Sequence, residues 1–179
     1  YQAPTTIAGV SSRDDLTAAD LNHDGNLDLV VPYGVVQQSG SVQILLGLGD
    51  GTFSAPVSYD TGEGDWFCIG AVVEDFDGDG HLDVAALNLG AFQPSFQNGS
   101  IRFLWGLGNG AFQLGTRTVL QPYMLDVVAG NIDADPAIEL LAMTGNSYSA
   151  IVLDYIGNRQ FQLGVPAVVL PGNPPSPNE

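Results

Sequence analysis

The chain has 179 residues, 45% of them hydrophobic and 13% charged, with 23 glycines and 11 prolines. That mixture excludes a disordered chain and predicts a turn-rich β protein long enough for a real core. Four basic residues, the arginines Arg13, Arg102, Arg117 and Arg159, face 20 acidic ones for a net charge of −16. This excludes nucleic acid and anionic membrane surfaces as partners, because both need a cationic face.

No apolar run reaches the ~18 residues of a membrane span. One cysteine, Cys68 in the apolar run 66–73, excludes an intrachain disulfide and is expected to be buried and inert. The chain opens at Tyr1 without a leader-like segment and is expected to be a processed product or an excerpt of something longer.

In chain order, residues 1–10 (YQAPTTIAGV) resemble 53–62 (FSAPVSYDTG) and 161–170 (FQLGVPAVVL). Residues 1–12 are therefore expected to form one outer strand of an incomplete or neighbouring unit. An acidic loop follows at 20–28 (DLNHDGNLD), then apolar runs at 27–33 and 41–49, the turn GDGTF and a further strand. The order recurs as an apolar strand at 67–75, DFDGDGHLD at 75–83, runs at 82–89 and 100–108, and GNGAF with its strand. A third copy has 125–133, NIDADPAIE at 131–139, runs at 138–145 and 149–157, and GNRQF.

The apolar runs are too short for helices and are bounded by Gly, Asn and Pro, which predicts buried strands. Asp50-Gly51 and Asn109-Gly110 predict tight hairpins with positive φ. The acidic loops begin 55 and 56 residues apart, a period that points to a propeller or solenoid. Units of four strands are expected at 13–60, 61–120 and 121–170, followed by a Pro-rich tail at 171–179.

Carboxylates at positions 1, 3, 5 and 9 of a loop repel one another unless a cation offsets them, and a hard ion such as Ca²⁺ takes six to eight oxygens. The side chains of Asp20, Asn22, Asp24 and Asp28, and of Asp75, Asp77, Asp79 and Asp83, are the candidate ligands, with backbone carbonyls from Asn26 and His81 at position 7. Asn131, Asp133, Asp135 and Glu139 form a weaker third set, because Pro136 replaces the glycine of the other loops (Gly25, Gly80) and cannot supply positive φ. Two Ca²⁺ sites are expected and the third is left open. These are not EF-hands, since Val31 and Ala86 stand where a bidentate Glu is required. The alternative is a solvated acidic turn of the Asx kind.

EDFDGDGHLDVAAL (74–87) and LWGLGNGAFQ (104–113) resemble the FG-GAP or VCBS-type repeat of integrin α-subunits and many secreted bacterial proteins, whose units are blades of a β-propeller. The resemblance covers residues 13–170 as three units, the third departing in its acidic loop. It implies an all-β fold of three β-propeller-type four-stranded blades plus an N-terminal extra outer strand. It also implies calcium between the first two strands of a blade and an extracellular or cell-surface location.

Closed propellers have about four to eight blades. Three blades imply the remaining blades of a longer chain, self-association, or an unusual small fold. The expected function is a calcium-stabilised structural or adhesion module. The alternatives are a lectin-like propeller binding carbohydrate or protein, and a non-catalytic accessory domain of a secreted enzyme. No nucleophile elbow, phosphate loop or zinc spacing is present, so no enzyme activity is expected.

His23 and His81, at non-equivalent loop positions 4 and 7, are expected to be separate surface residues. Asn98-Gly99-Ser100 is a glycosylation sequon. Trp66, Trp105, Tyr33, Tyr123 and Tyr148 are expected in the core before a carbohydrate face.

Overall fold

The computed structural model describes residues 16–34, 39–62, 67–90, 98–132, 135–145, 149–164 and 168–169. The expected N-terminal strand (1–12), the tail (171–179), Trp66, Tyr148 and Asp133 lie outside the described residues.

The protein is all-β. The first sheet is ordered β1 (Thr17–Ala19), β2 (Asp28–Tyr33), β3 (Gly40–Leu45), β4 (Val57–Gly62). The second is β5 (Cys68–Glu74), β6 (Asp83–Asn88), β7 (Asn98–Gly106), β8 (Phe112–Pro122). The third is β9 (Met124–Gly130), β10 (Glu139–Thr144), β11 (Ser149–Tyr155), β12 (Phe161–Leu163), with β13 (Val168–Val169) also pairing β11. All pairings are antiparallel, and the register repeats from sheet to sheet, with Leu29 opposite Leu45, Val84 opposite Leu104 and Leu140 opposite Leu153. These are propeller-type blades, and among the described residues the three sheets do not close into a ring. Among the described residues, no helix is long and apolar enough to cross a membrane.

The second blade lies between the other two, which explains its sequence. Every residue of β6 is buried, so its interior, Val84 to Leu87, reads as a continuous apolar run and not as an alternating one. One core cluster joins the first and second blades through Leu21, Val30, Ile44, Val84, Leu104 and Phe112. The other joins the second and third through Phe76, Phe103, Trp105, Val127, Leu140 and Leu153. Trp105 stacks on Phe103 at 5.1 Å between ring centroids, and Phe103 on Phe161 at 4.3 Å. Trp105 is thus a core residue, only 3% exposed.

The outer strand of the first blade is interrupted. Phe53 makes one bridge to Gly47 before β4 begins at Val57. Pro56 has no N–H to add to the ladder there, whereas β8 runs unbroken over 11 residues. The hairpins differ from a two-residue Asp-Gly turn. Leu48 N–H donates to Thr52 O at 3.0 Å and Leu107 N–H to Ala111 O at 3.0 Å, while positive φ falls on the glycines either side of Asp50 and Asn109.

Candidate metal centre

Each acidic loop joins the first and second strands of its blade, and its carboxylates are oriented first by the loop's own backbone. In the second loop, Asp75 Oδ1 accepts N–H from Gly78 (2.9 Å) and Asp79 (3.1 Å), and its Oδ2 accepts from Gly80 (2.9 Å). Asp77 Oδ1 accepts from Asp79 N–H at 3.1 Å, and Asp79 Oδ1 from His81 N–H at 2.9 Å. The first loop repeats the pattern. Asp20 accepts from Asp24 and Gly25, Asn22 Oδ1 from Asp24, and Asp24 Oδ1 from Asn26. These bonds need the chain to turn inward, and Gly25 (φ 88°) and Gly80 (φ 90°) supply the left-handed backbone at position 6.

Position 9 does more than offer an oxygen. Asp28 and Asp83 are fully buried, and each ties its loop to the third strand. Asp28 accepts Leu21 N–H at 2.9 Å and Gly47 N–H at 2.7 Å. Asp83 accepts Phe76 N–H at 3.1 Å and Gly106 N–H at 2.7 Å. An added Cβ on Gly47 or Gly106 would lie 2.3 Å or 2.2 Å from the carbonyl oxygen of Leu27 or Leu82, so only glycine brings those N–H groups close enough.

Burial pushes the Asp83 carboxyl up to about 7, the Gly106 and Phe76 N–H bonds offsetting only part of this, and repulsion from Asp77 and Asp79 adds to it. Asp24 is held below the usual carboxylate range by Asn26 N–H and by the Asn22 amide.

Among the described residues, Asp75, Asp77 and Asp83 form a group of three potential ligands, one oxygen from each lying within 4.8 Å of the others. An all-carboxylate set of this kind suits a hard divalent cation. In the first loop Asn22 takes the position of Asp77, and its amide donates to Asp24 Oδ2 at 2.9 Å, lowering the negative charge there.

The third loop is built differently. Ile132 N–H donates to Glu139 Oε2 at 2.8 Å, as at the other position-9 carboxylates. At position 1, however, the Asn131 amide donates to the carbonyls of Asp135 and Ala137. An amide donor thus points at loop oxygens where Asp20 and Asp75 present acceptors. Asp135 Oδ1 accepts Ala137 N–H at 2.8 Å.

Three findings were not legible in the separate loops. His23 and His81 are not separate: their rings meet with centroids 6.0 Å apart, bringing the first and second loops together. His23 occupies a left-handed position (φ 59°), where the second loop has Gly78 (φ 76°). Adjacent blades present different loop positions to each other, so a histidine at position 4 of the first loop meets one at position 7 of the second. Arg159, from the third-blade hairpin, donates from Nε to Asp77 Oδ2 at 2.6 Å and from Nη2 to Asp79 Oδ2 at 3.1 Å. Its one sequence signal is an arginine where the aligned hairpins carry Gly51 and Gly110.

Other candidates are dispersed. Asn98 is exposed at the start of β7, opposite Pro122, while Tyr33 and Tyr123 are half-buried in the first blade and at the β8–β9 junction.

A search of curated proteins and of solved structures finds no match to the chain. Residues 33–86, running from the end of β2 through the second acidic loop into β6, match the family of the FG-GAP-like repeat. The chain thus carries an FG-GAP-like repeat at residues 33–86, and its three sheets share one strand order.

Proposed function

We propose that this is a calcium-stabilised extracellular structural or adhesion module, without catalytic activity, that self-associates or forms part of a larger propeller. The observation that carries the reading is the convergence of Asp75, Asp77 and Asp83 directly beside the Phe76–Phe161 contact between blades, 6.1 Å between centroids. A cation held there neutralises the loop and stiffens the interface. Binding only to the folded form stabilises it by mass action, and the millimolar calcium outside cells suits modest affinity.

Support for an assembly role comes from the third blade. Its face away from the second blade presents Val128 (53% exposed) and Met143 (38% exposed), with half-buried Leu141 opposite Val128. Neighbouring blades or a second copy would cover such a face. A second reading, carbohydrate binding, is favoured by an open groove of about 620 Å³ whose lining includes Gln113, Asn158 and Gln160 beside the edge of Trp105.

The test is thermal unfolding and solution mass with EDTA and with added Ca²⁺. Calcium should raise the melting temperature and EDTA reverse it. Asp77→Ala should reduce the calcium effect more than Asp135→Ala. An unchanged melt removes the calcium reading, and a calcium-independent monomer removes self-association. Retention on a glycan array would favour the second reading.

A further inference from the structure

Arg159 stands where two other hairpins have glycine. Aligned on the phenylalanine two residues further on, Gly51, Gly110 and Arg159 occupy one position, with φ of 87°, 79° and 58°. In the left-handed region the Cβ of an L-residue crowds the following carbonyl, so arginine is strained there, and such strain persists where surrounding contacts hold it. Those contacts are specific. Arg159 N–H donates to the Tyr155 hydroxyl at 3.3 Å. Its guanidinium lies 5.2 Å from the centroid of Trp105 and bonds Asp77 and Asp79. The Asp77 side chain is only 7% exposed.

The same geometry one blade earlier is uncharged. An added Cβ on Gly110 would lie 2.7 Å from Leu46 Cδ2 of the first blade. The hairpins of the second and third blades thus lean back on the preceding blade, and in the third that contact carries a cation.

We propose that Arg159 is a latch that closes the second acidic loop in the metal-free protein and competes with a divalent cation for Asp77 and Asp79. The contact between the second and third blades thereby becomes calcium-responsive. This rests on the calcium reading above. Guanidinium and Ca²⁺ both draw on Asp77, which converges with Asp75 and Asp83, and on Asp79, the position-5 candidate of the same loop, one as a planar fork of donors and the other as a hard ion gathering oxygens. When the ion takes Asp77 and Asp79, Arg159 loses both carboxylate bonds and retains its N–H bond to the Tyr155 hydroxyl against the backbone strain. By reciprocity, the latch lowers calcium affinity by the same factor by which calcium weakens the latch. In the first loop the corresponding partner of Asp24 Oδ2 is the neutral Asn22 amide of the same loop, so the two loops fill at different calcium concentrations.

The experiment uses the full chain carrying Asp20→Ala, which leaves the second loop as the main site, and Trp66→Phe, which leaves Trp105 as the reporter. Calcium is titrated by calorimetry and by tryptophan fluorescence. Calcium should change Trp105 emission as the guanidinium leaves its face. Adding Arg159→Gly should raise calcium affinity about tenfold and remove the emission change, with Arg159→Lys between the two. The glycine variant keeps the hairpin, because glycine occupies this position in the other blades. If Asp20→Ala impairs folding, the comparison is made on the two binding steps of the otherwise unaltered chain. Equal affinities with and without Arg159, or weaker binding by the glycine variant, overturn the latch and leave the calcium reading standing. No calcium uptake at all overturns both.

Discussion

Asp83 Oδ1 accepts the backbone N–H of Gly106 at 2.7 Å, joining the acidic loop of the second blade to its third strand across 23 residues of sequence. The carboxylate is fully buried, and its proton affinity is set by that burial and by Asp77 and Asp79, which raise it to about 7. Because the folded state holds the proton more tightly than the unfolded chain, Asp83 favours folding most below the ordinary carboxylate value of about 4. That contribution is lost as pH rises from about 4 to the folded value. Metal-free protein in EDTA should therefore lose melting temperature across this window, and Asp83→Asn should flatten the slope. Parallel pH profiles for the two proteins would refute this assignment.

His23 carries backbone strain that its counterpart avoids, with φ 59° against 76° for Gly78. His23→Gly should stabilise the protein by about 1 kcal/mol or less in urea unfolding, because the left-handed backbone costs an L-residue about 1–2 kcal/mol and the added freedom of glycine in the unfolded chain offsets part of that gain. A loss instead would mean that the ring contact with His81 outweighs the strain.

Asn88 joins the first and second blades from a fully buried position. Its Oδ1 accepts the Thr61 hydroxyl at 2.9 Å, and its Nδ2 donates to Thr61 O at 3.1 Å. Asn88→Ala leaves buried partners unsatisfied and should cost about 2–3 kcal/mol in denaturant unfolding. Thr61→Val, which removes one hydroxyl and leaves the Thr61 carbonyl paired, should cost about half as much.

Cys68 is buried in the interface between the first and second blades, and burial pushes its thiol up to about 12. Native protein at pH 8 should resist alkylation, with labelling appearing only as denaturant separates the blades. Rapid native labelling would show that this interface opens without global unfolding.

The order of strands, the repeat of about 55 residues and the residues of the acidic loops were legible in the sequence, because each is a local pattern. Alternation and turn chemistry act over a few residues, and the spacing of Asp75, Asp77, Asp79 and Asp83 lies within a single loop. Even Gly25 and Gly80 declared their left-handed backbones by being glycines among carboxylates. The special geometry of Asn131, whose amide donates where the other loops accept, was foreshadowed only by Pro136.

What tertiary structure alone decided is how one blade meets the next. The His23–His81 contact, the stack of Phe161 on Phe103 and the reach of Arg159 to Asp77 join residues tens of positions apart, and they depend on the rotation between stacked sheets. No pattern within a repeat specifies that rotation; it is set by packing the side chains of two blade faces at once. The position-9 carboxylates show the same division. Their acidity was evident from sequence, but their burial and their bonds to Gly47 and Gly106 required the third strand to fold back over the loop.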